Sequence, residues 1–152
     1  MGKTQIGDIF EIQTPAGKAY LHYIKKDPKA SRELVRILPG LYSERPLDFQ
    51  QLASLEEQYL LFFLVSAAKR KRIIERVGFY PADNIDMPRF MRDEFNVKGE
   101  SLGWHIVDTQ TWHRELVKDL TPEQRKLSDW ASWNDTLLIK RLLEGWSLEK
   151  WI

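Results

Sequence analysis

Tyr59-Leu60-Leu61-Phe62-Phe63-Leu64-Val65 is apolar at every position. A strand that buries one face alternates apolar with polar residues, and an amphipathic helix repeats its apolar positions every three or four. An unbroken, aromatic-rich run this short suits neither, and it predicts a strand covered on both faces at the centre of a sheet. It falls far short of the roughly 20 apolar residues that a membrane-spanning helix needs.

Upstream of it, Asp8-Ile9-Phe10-Glu11-Ile12 alternates, Thr14-Pro15-Ala16-Gly17 carries turn chemistry, and Ala19-Tyr20-Leu21-His22-Tyr23-Ile24 resumes the apolar pattern, so a β-hairpin is expected. Glu33-Leu34-Val35-Arg36-Ile37-Leu38, stopped by Pro39-Gly40, is the next strand, and Asp48 can cap a short helix running to Leu55. Downstream, a turn or short helix at residues 67–72 leads into a strand at residues 73–80. The proline, glycines and charges of residues 82–103 predict irregular chain with a short strand near residues 89–92. Trp104-His105-Ile106-Val107-Asp108 is a late strand that residues 111–117 can pair with.

Near the C-terminus, Thr121-Pro122-Glu123-Gln124 has the hydroxyl, proline and glutamine of a capping box, and a short helix should start there. Asn134 or Asp135 caps the next helix, striped by Leu137, Leu138, Arg141 and Leu142. Gly145 stands at its left-handed end, with Trp146 packing back. Strands early and the long helix late predict an α+β fold, a mainly antiparallel sheet with the C-terminal helix packed on it. Mixed pairing and barrel-like closure are variants of the same reading.

Length and composition bound the rest. The chain has 152 residues, suited to one domain spanning residues 1–152, and is 43% hydrophobic and 30% charged, enough for both a core and a wetted surface. Lys and Arg number 23 against 22 Asp and Glu, a balance that disfavours nucleic acid as partner. Without cysteine there is neither a disulfide framework nor a thiolate metal site, and a reduced cytoplasm suits the chain. The opening residues MGKTQIGDIF lack the apolar core of a secretory signal, so cytoplasmic location without a membrane partner is expected.

Candidate chemistry is sparse. His105 and His113, with Asp108 and Glu115 near in sequence, could converge across a hairpin as an acid–base or metal group. Loose histidines of this kind are more often strand-edge residues, and the familiar catalytic, metal and phosphate motifs do not occur, so the expectation is a non-enzyme without cofactor or metal. Lys69-Arg70-Lys71-Arg72 could contact phosphates or an acidic protein face, although a solvated turn beside the apolar strand explains the same residues. Of six tryptophans, Trp112 has polar neighbours and is the candidate interface anchor, while a hairpin-face core position also fits it. Arg70, Arg72 and Trp112 are thus the candidate partner-binding residues.

Gly7-Asp8-Ile9-Phe10-Glu11-Ile12, Gly17-Lys18-Ala19-Tyr20, the Phe62-Phe63 strand, and Trp133-Asn134-Asp135-Thr136-Leu137-Leu138-Ile139 leading to Glu144-Gly145-Trp146 together resemble the immunity protein 26 family of bacterial polymorphic toxin systems. The resemblance spans nearly the whole chain. It implies an α+β domain that neutralises a cognate toxin, or another effector such as a defence protein, by direct stoichiometric binding, and it brings no catalytic residues. Two alternatives stay open: a nucleic-acid-binding module using Lys69 to Arg72, and an enzyme using His105 and His113.

Overall fold

The computed structural model describes residues 3–152. Strands β1 (Asp8–Thr14) and β2 (Gly17–Lys26) form the expected hairpin, and β3 (Glu33–Ile37) and β4 (Tyr59–Phe63) extend it antiparallel. Strand β5 (Ile74–Phe79) returns to pair with the outer side of β1, and the two-residue β9 (Ser132–Trp133) adds to β4 in parallel. The order is β5-β1-β2-β3-β4-β9, so pairing is mixed but the sheet does not close into a barrel. Its second apolar face is instead covered by other elements, which removes the need for closure.

Alternation along the strands divides the core. Phe10, Ile12, Leu21, Val35, Ile37, Leu61 and Phe63 face one side. The short helix α2 (Val65–Arg70) packs there through Val65 and Ala68, and α3 (Asp135–Glu144) through Leu138. The opposite face has two covers. At one end Ile9, Tyr20 and Leu38 lie under α1 (Phe49–Ser54), and at the other Ile24, Leu34 and Phe62 lie under a second sheet. That three-stranded sheet, β6 (Phe90–Val97), β7 (Glu100–Asp108) and β8 (Arg114–Val117), supplies Met91 and Val107 to the shared core.

The chain between β8 and α3 stitches the sheets together. Arg92 of β6 donates its N–H to Ser128 O and accepts from Trp130 N, and two residues later Ser132 and Trp133 pair with β4. Trp130 is thereby set between the sheets, buried against Phe62.

From Tyr59 to Phe63 the apolar run is covered on both faces, because Leu61 and Phe63 point to one core and Leu60 and Phe62 to another, whereas Leu64 beyond the strand is exposed. Two details differ from expectation. The run is next to an edge, since only short β9 lies beyond it, and the strand ends at Phe63, with Val65 opening α2. Residues 82–103 also hold more structure than their composition suggests. Lys98 and Gly99, with φ of 51° and 81°, make a tight turn joining an eight-residue β6 to β7.

The capping signals form as the residues require. Asp48 accepts from Gln51 N, and Asn134 accepts from Leu137 N. Thr121 and Gln124 exchange both bonds of a capping box, although only a 3-10 turn (Gln124–Lys126) follows. Gly145 is left-handed at φ 65°, and Trp146 folds back onto Tyr59 and Trp133. Among the described residues no helix is long and apolar enough to cross a membrane.

Candidate functional site

The loop between β7 and β8 is closed by Asp108. Its N–H donates to His113 O, its carbonyl accepts from Trp112 N at 2.7 Å, and its carboxylate accepts from the N–H groups of Gln110 and Thr111. Arg89 adds a bidentate pair, and that guanidinium, with the two backbone donors, holds the Asp108 carboxyl well below the usual range. This geometry forces the fourth loop residue into the left-handed region, and that residue is Trp112, at φ 64°. Glycine or asparagine ordinarily takes such a position, because a β-carbon there crowds the following carbonyl at a cost of about 1–2 kcal/mol.

Trp112 is therefore held outward, 41% exposed, and is not part of the hairpin core. Its edge meets Trp130, with ring centroids 5.9 Å apart, and Lys29 Nζ lies 5.4 Å from its ring while donating to Gln110 O. Behind it, the guanidinium carbon of Arg32 lies 3.8 Å from the ring centre of Phe62 and 4.2 Å from that of Trp130, two rings nearly perpendicular to each other, and the group donates to Trp130 O. Arg114, the first residue of β8, pairs with Asp93 across the sheet at 3.1 Å. Arg32, Val107, Trp112, Arg114 and Trp130 line a recess of about 150 Å³. On the other side of the Lys29–Trp112 ridge, Lys25, Lys29, Met87 and Gln110 border a cleft of about 350 Å³.

The structure does not bring Arg70 and Arg72 to this surface. They lie at the end of α2, over the opposite face of the six-stranded sheet from Phe62 and Trp130. Their arrangement is that of a helix end: Arg72 is left-handed at φ 61°, its N–H donates to Lys69 O, and Ile73 N–H donates to Ala68 O. Those two bonds satisfy terminal carbonyls, and the cations of the run sit where a helix dipole favours them.

His105 and His113 are not assembled into one group either. His105 pairs in register with Leu116 and packs against Phe95, whereas His113 is exposed opposite Asp108, three positions along β7. Asp108 is committed to Arg89 and the loop. Among the described residues no cluster of three or more histidines and carboxylates could hold a metal ion.

Lys29, Arg32, Arg114 and Trp130 escape a sequence reading. Lys29 and Arg32 come from a turn whose charges look merely solvated, and only the pairing of two separate sheets through residues 128–133 places them beside Trp112. No protein-family model, curated protein or solved structure matches the chain.

Proposed function

We propose that this protein neutralises a partner protein by stoichiometric binding, as the resemblance to the immunity protein 26 family implies, and that the Trp112 hairpin is its contact face. One observation carries the choice of face: a half-exposed tryptophan occupies a left-handed position that glycine would fill without strain. Strain retained at the surface is a mark of function more than of folding. Tryptophan and arginine are also the residue types that dominate binding energy at protein interfaces, and Arg32 and Arg114 flank the ring. The partner is a cognate toxin or comparable effector, and the surrounding loops give room for the roughly 800 Å² that a standard interface buries on each side.

The test titrates the protein encoded by the adjacent gene with this chain and with Trp112→Asn, which keeps a residue tolerant of the left-handed backbone and removes the ring. Inhibition should be complete near one chain per partner molecule. The variant should stay folded by circular dichroism and lose about 2 kcal/mol or more of affinity, roughly 30-fold. Inactivation of many partner molecules by one chain over time would overturn the binding mechanism, and full affinity in Trp112→Asn would overturn the assignment of the face.

A further inference from the structure

Strand β8 is the outer strand of the second sheet, and half of its backbone groups face solvent. The phase is set at the loop, where Asp108 N–H donates to His113 O. Backbone groups alternate sides along a strand, so Glu115 and Val117 bond their register partners Ile106 and Trp104 of β7. The N–H and C=O groups of Arg114 and Leu116 therefore point away from the sheet. Among the described residues none of these four groups has a hydrogen-bond partner. At the other margin of the sheet, β6 is partly taken, since Arg92 bonds the backbone of both Ser128 and Trp130.

The side chains beside this edge are not all polar. Arg114 and Leu116 project to one face of the sheet, where Arg114 pairs with Asp93 and Leu116 stands opposite His105, whose ring packs against Phe95. Leu116 is 56% exposed, and Arg114 joins this face to Trp112, with which it lines the recess described above. An open edge with apolar side chains next to it is a template for one more strand.

A second copy of this chain does not suit the edge. Two copies related by a two-fold axis would set β8 antiparallel to itself, with the axis at residue 114, 115, 116 or 117. Centred on 114, Arg114 meets its own copy, and centred on 115, Glu115 does. Centred on 116, Arg114 and Lys118 meet twice, and centred on 117, Glu115 meets Asp119. Like charges stand directly opposite in every register, which destabilises the pairing. The same charges favour a foreign strand of complementary pattern.

We infer that β8 receives an extended segment of the partner protein as a fourth, antiparallel strand. That segment carries an apolar residue opposite Leu116, acidic residues opposite Arg114 and Lys118, and a basic residue opposite Glu115. Main-chain bonds to Arg114 and Leu116 hold it, and the flanking charges select its sequence. This inference rests on the reading that the chain neutralises a partner protein, and it names how that partner is held.

The experiment follows backbone amide hydrogen exchange in the whole chain, alone and with one equivalent of the protein encoded by the adjacent gene. Alone, the amides of Arg114 and Leu116 should exchange faster than those of Glu115 and Val117 at every protein concentration. In the complex they should slow at least about tenfold. Leu116→Ala and Leu116→Pro both remove the leucine, but proline also removes the outward N–H while sparing the bonds to β7. The proline variant should therefore bind at least about tenfold more weakly than the alanine variant, and Lys118→Glu should weaken binding about fivefold. Amide spectra establish that the variants are folded, and if Leu116→Pro is not, exchange in the parent chain decides alone. Unchanged exchange at Arg114 and Leu116 in an inhibited complex, or equal affinity of folded Leu116→Ala and Leu116→Pro, would sink the inference and leave the binding function standing. Undiminished binding in Lys118→Glu would overturn the charge pattern assigned to the segment. Protection of both amides that grows with concentration in the absence of partner would reassign the edge to a second copy. Absence of any complex would remove the binding function and this inference with it.

Discussion

Arg92 is fully buried, yet among the described residues no carboxylate forms an ion pair with it. Its guanidinium serves backbone instead through four hydrogen bonds: Nε donates to Leu127 O at 2.9 Å, Nη2 to Arg125 O at 3.0 Å and Leu148 O at 2.7 Å, and Nη1 to Trp151 O. The guanidinium carbon lies 5.0 Å from the ring centre of Trp104 and 4.3 Å from that of Trp151. One side chain of the second sheet therefore holds both the 3-10 turn of residues 124–126 and the C-terminal turn (Leu148–Lys150). Burial pushes its pKa down to about 10, which still leaves it charged near neutral pH.

Arg92→Met removes every donor and leaves four carbonyls to find others. A buried polar group left unsatisfied costs about 1–3 kcal/mol. Arg125 is exposed and Leu127, Leu148 and Trp151 are partly exposed, so water can replace part of the lost donation and the four penalties do not add in full. The expected loss is about 3–5 kcal/mol, a large part of the 5–15 kcal/mol typical of a domain. Arg92→Lys should fall between, because one ammonium cannot reach carbonyls spread over two turns. Urea unfolding followed by circular dichroism, with the slope checked for constancy, measures both. A loss under about 1 kcal/mol in Arg92→Met, or none in Arg92→Lys, would refute the assignment of this arginine as the tie between the two turns.

Two further outcomes follow from single positions. His22 is buried, its Nδ1 accepting from Arg36 and its Nε2–H donating to Tyr80 O, and burial, first, holds its pKa below the ordinary value. The unfolded chain therefore takes up the proton first, so stability should fall as pH drops below about 6.5, by at most about 1.4 kcal/mol per pH unit; a His22 ring signal titrating at or above the ordinary value would contradict this. Gly103, at φ 126°, has no room for a side chain, since a β-carbon would stand 2.4 Å from Val117 O. Gly103→Ala should lose at least about 2 kcal/mol in thermal or denaturant unfolding and loosen β8, and a neutral substitution would show that β8 is free to shift.

The elements whose signals are local were legible in the sequence. Alternation gave the β1–β2 hairpin, Asp48 and Asn134 marked helix starts, and Gly145 marked an end, because each depends on residues within one turn of itself. The β6–β7 hairpin was hidden because its turn uses Lys98-Gly99 instead of an asparagine–glycine pair, and because Asp93, Glu94 and Asn96 dilute the alternation. The place of β4 beside an edge could not be read, since both-face coverage looks the same in the middle of a sheet and next to a two-residue strand. The candidate surface was half legible: Trp112 stood out by its polar neighbours, while Arg32 and Lys29 reach it only through the stitching of two sheets.

Arg72 and Trp112 show why the same backbone feature carries different weight at two places. Both are left-handed residues other than glycine, each at a cost of about 1–2 kcal/mol. At Arg72 the cost is offset on the spot: the conformation lets Arg72 and Ile73 donate to two terminal carbonyls of α2, and positive charge there complements the helix end. Any residue that tolerates the conformation would make those bonds, so the helix end by itself accounts for the left-handed backbone at Arg72. At Trp112 the bond to Asp108 O would survive with glycine or asparagine, and the tryptophan adds only what its ring does. Part of that ring covers Trp130 and receives Lys29, contacts worth about 0.5–1.5 kcal/mol each, which is comparable to the strain. Folding thus gains little from tryptophan over asparagine at 112, and the stability of Trp112→Asn should lie within about 1 kcal/mol of the parent chain. The exposed part of the ring, beside Arg32 and Arg114, adds little to that sum, which is the ground on which Trp112 is proposed as a partner contact.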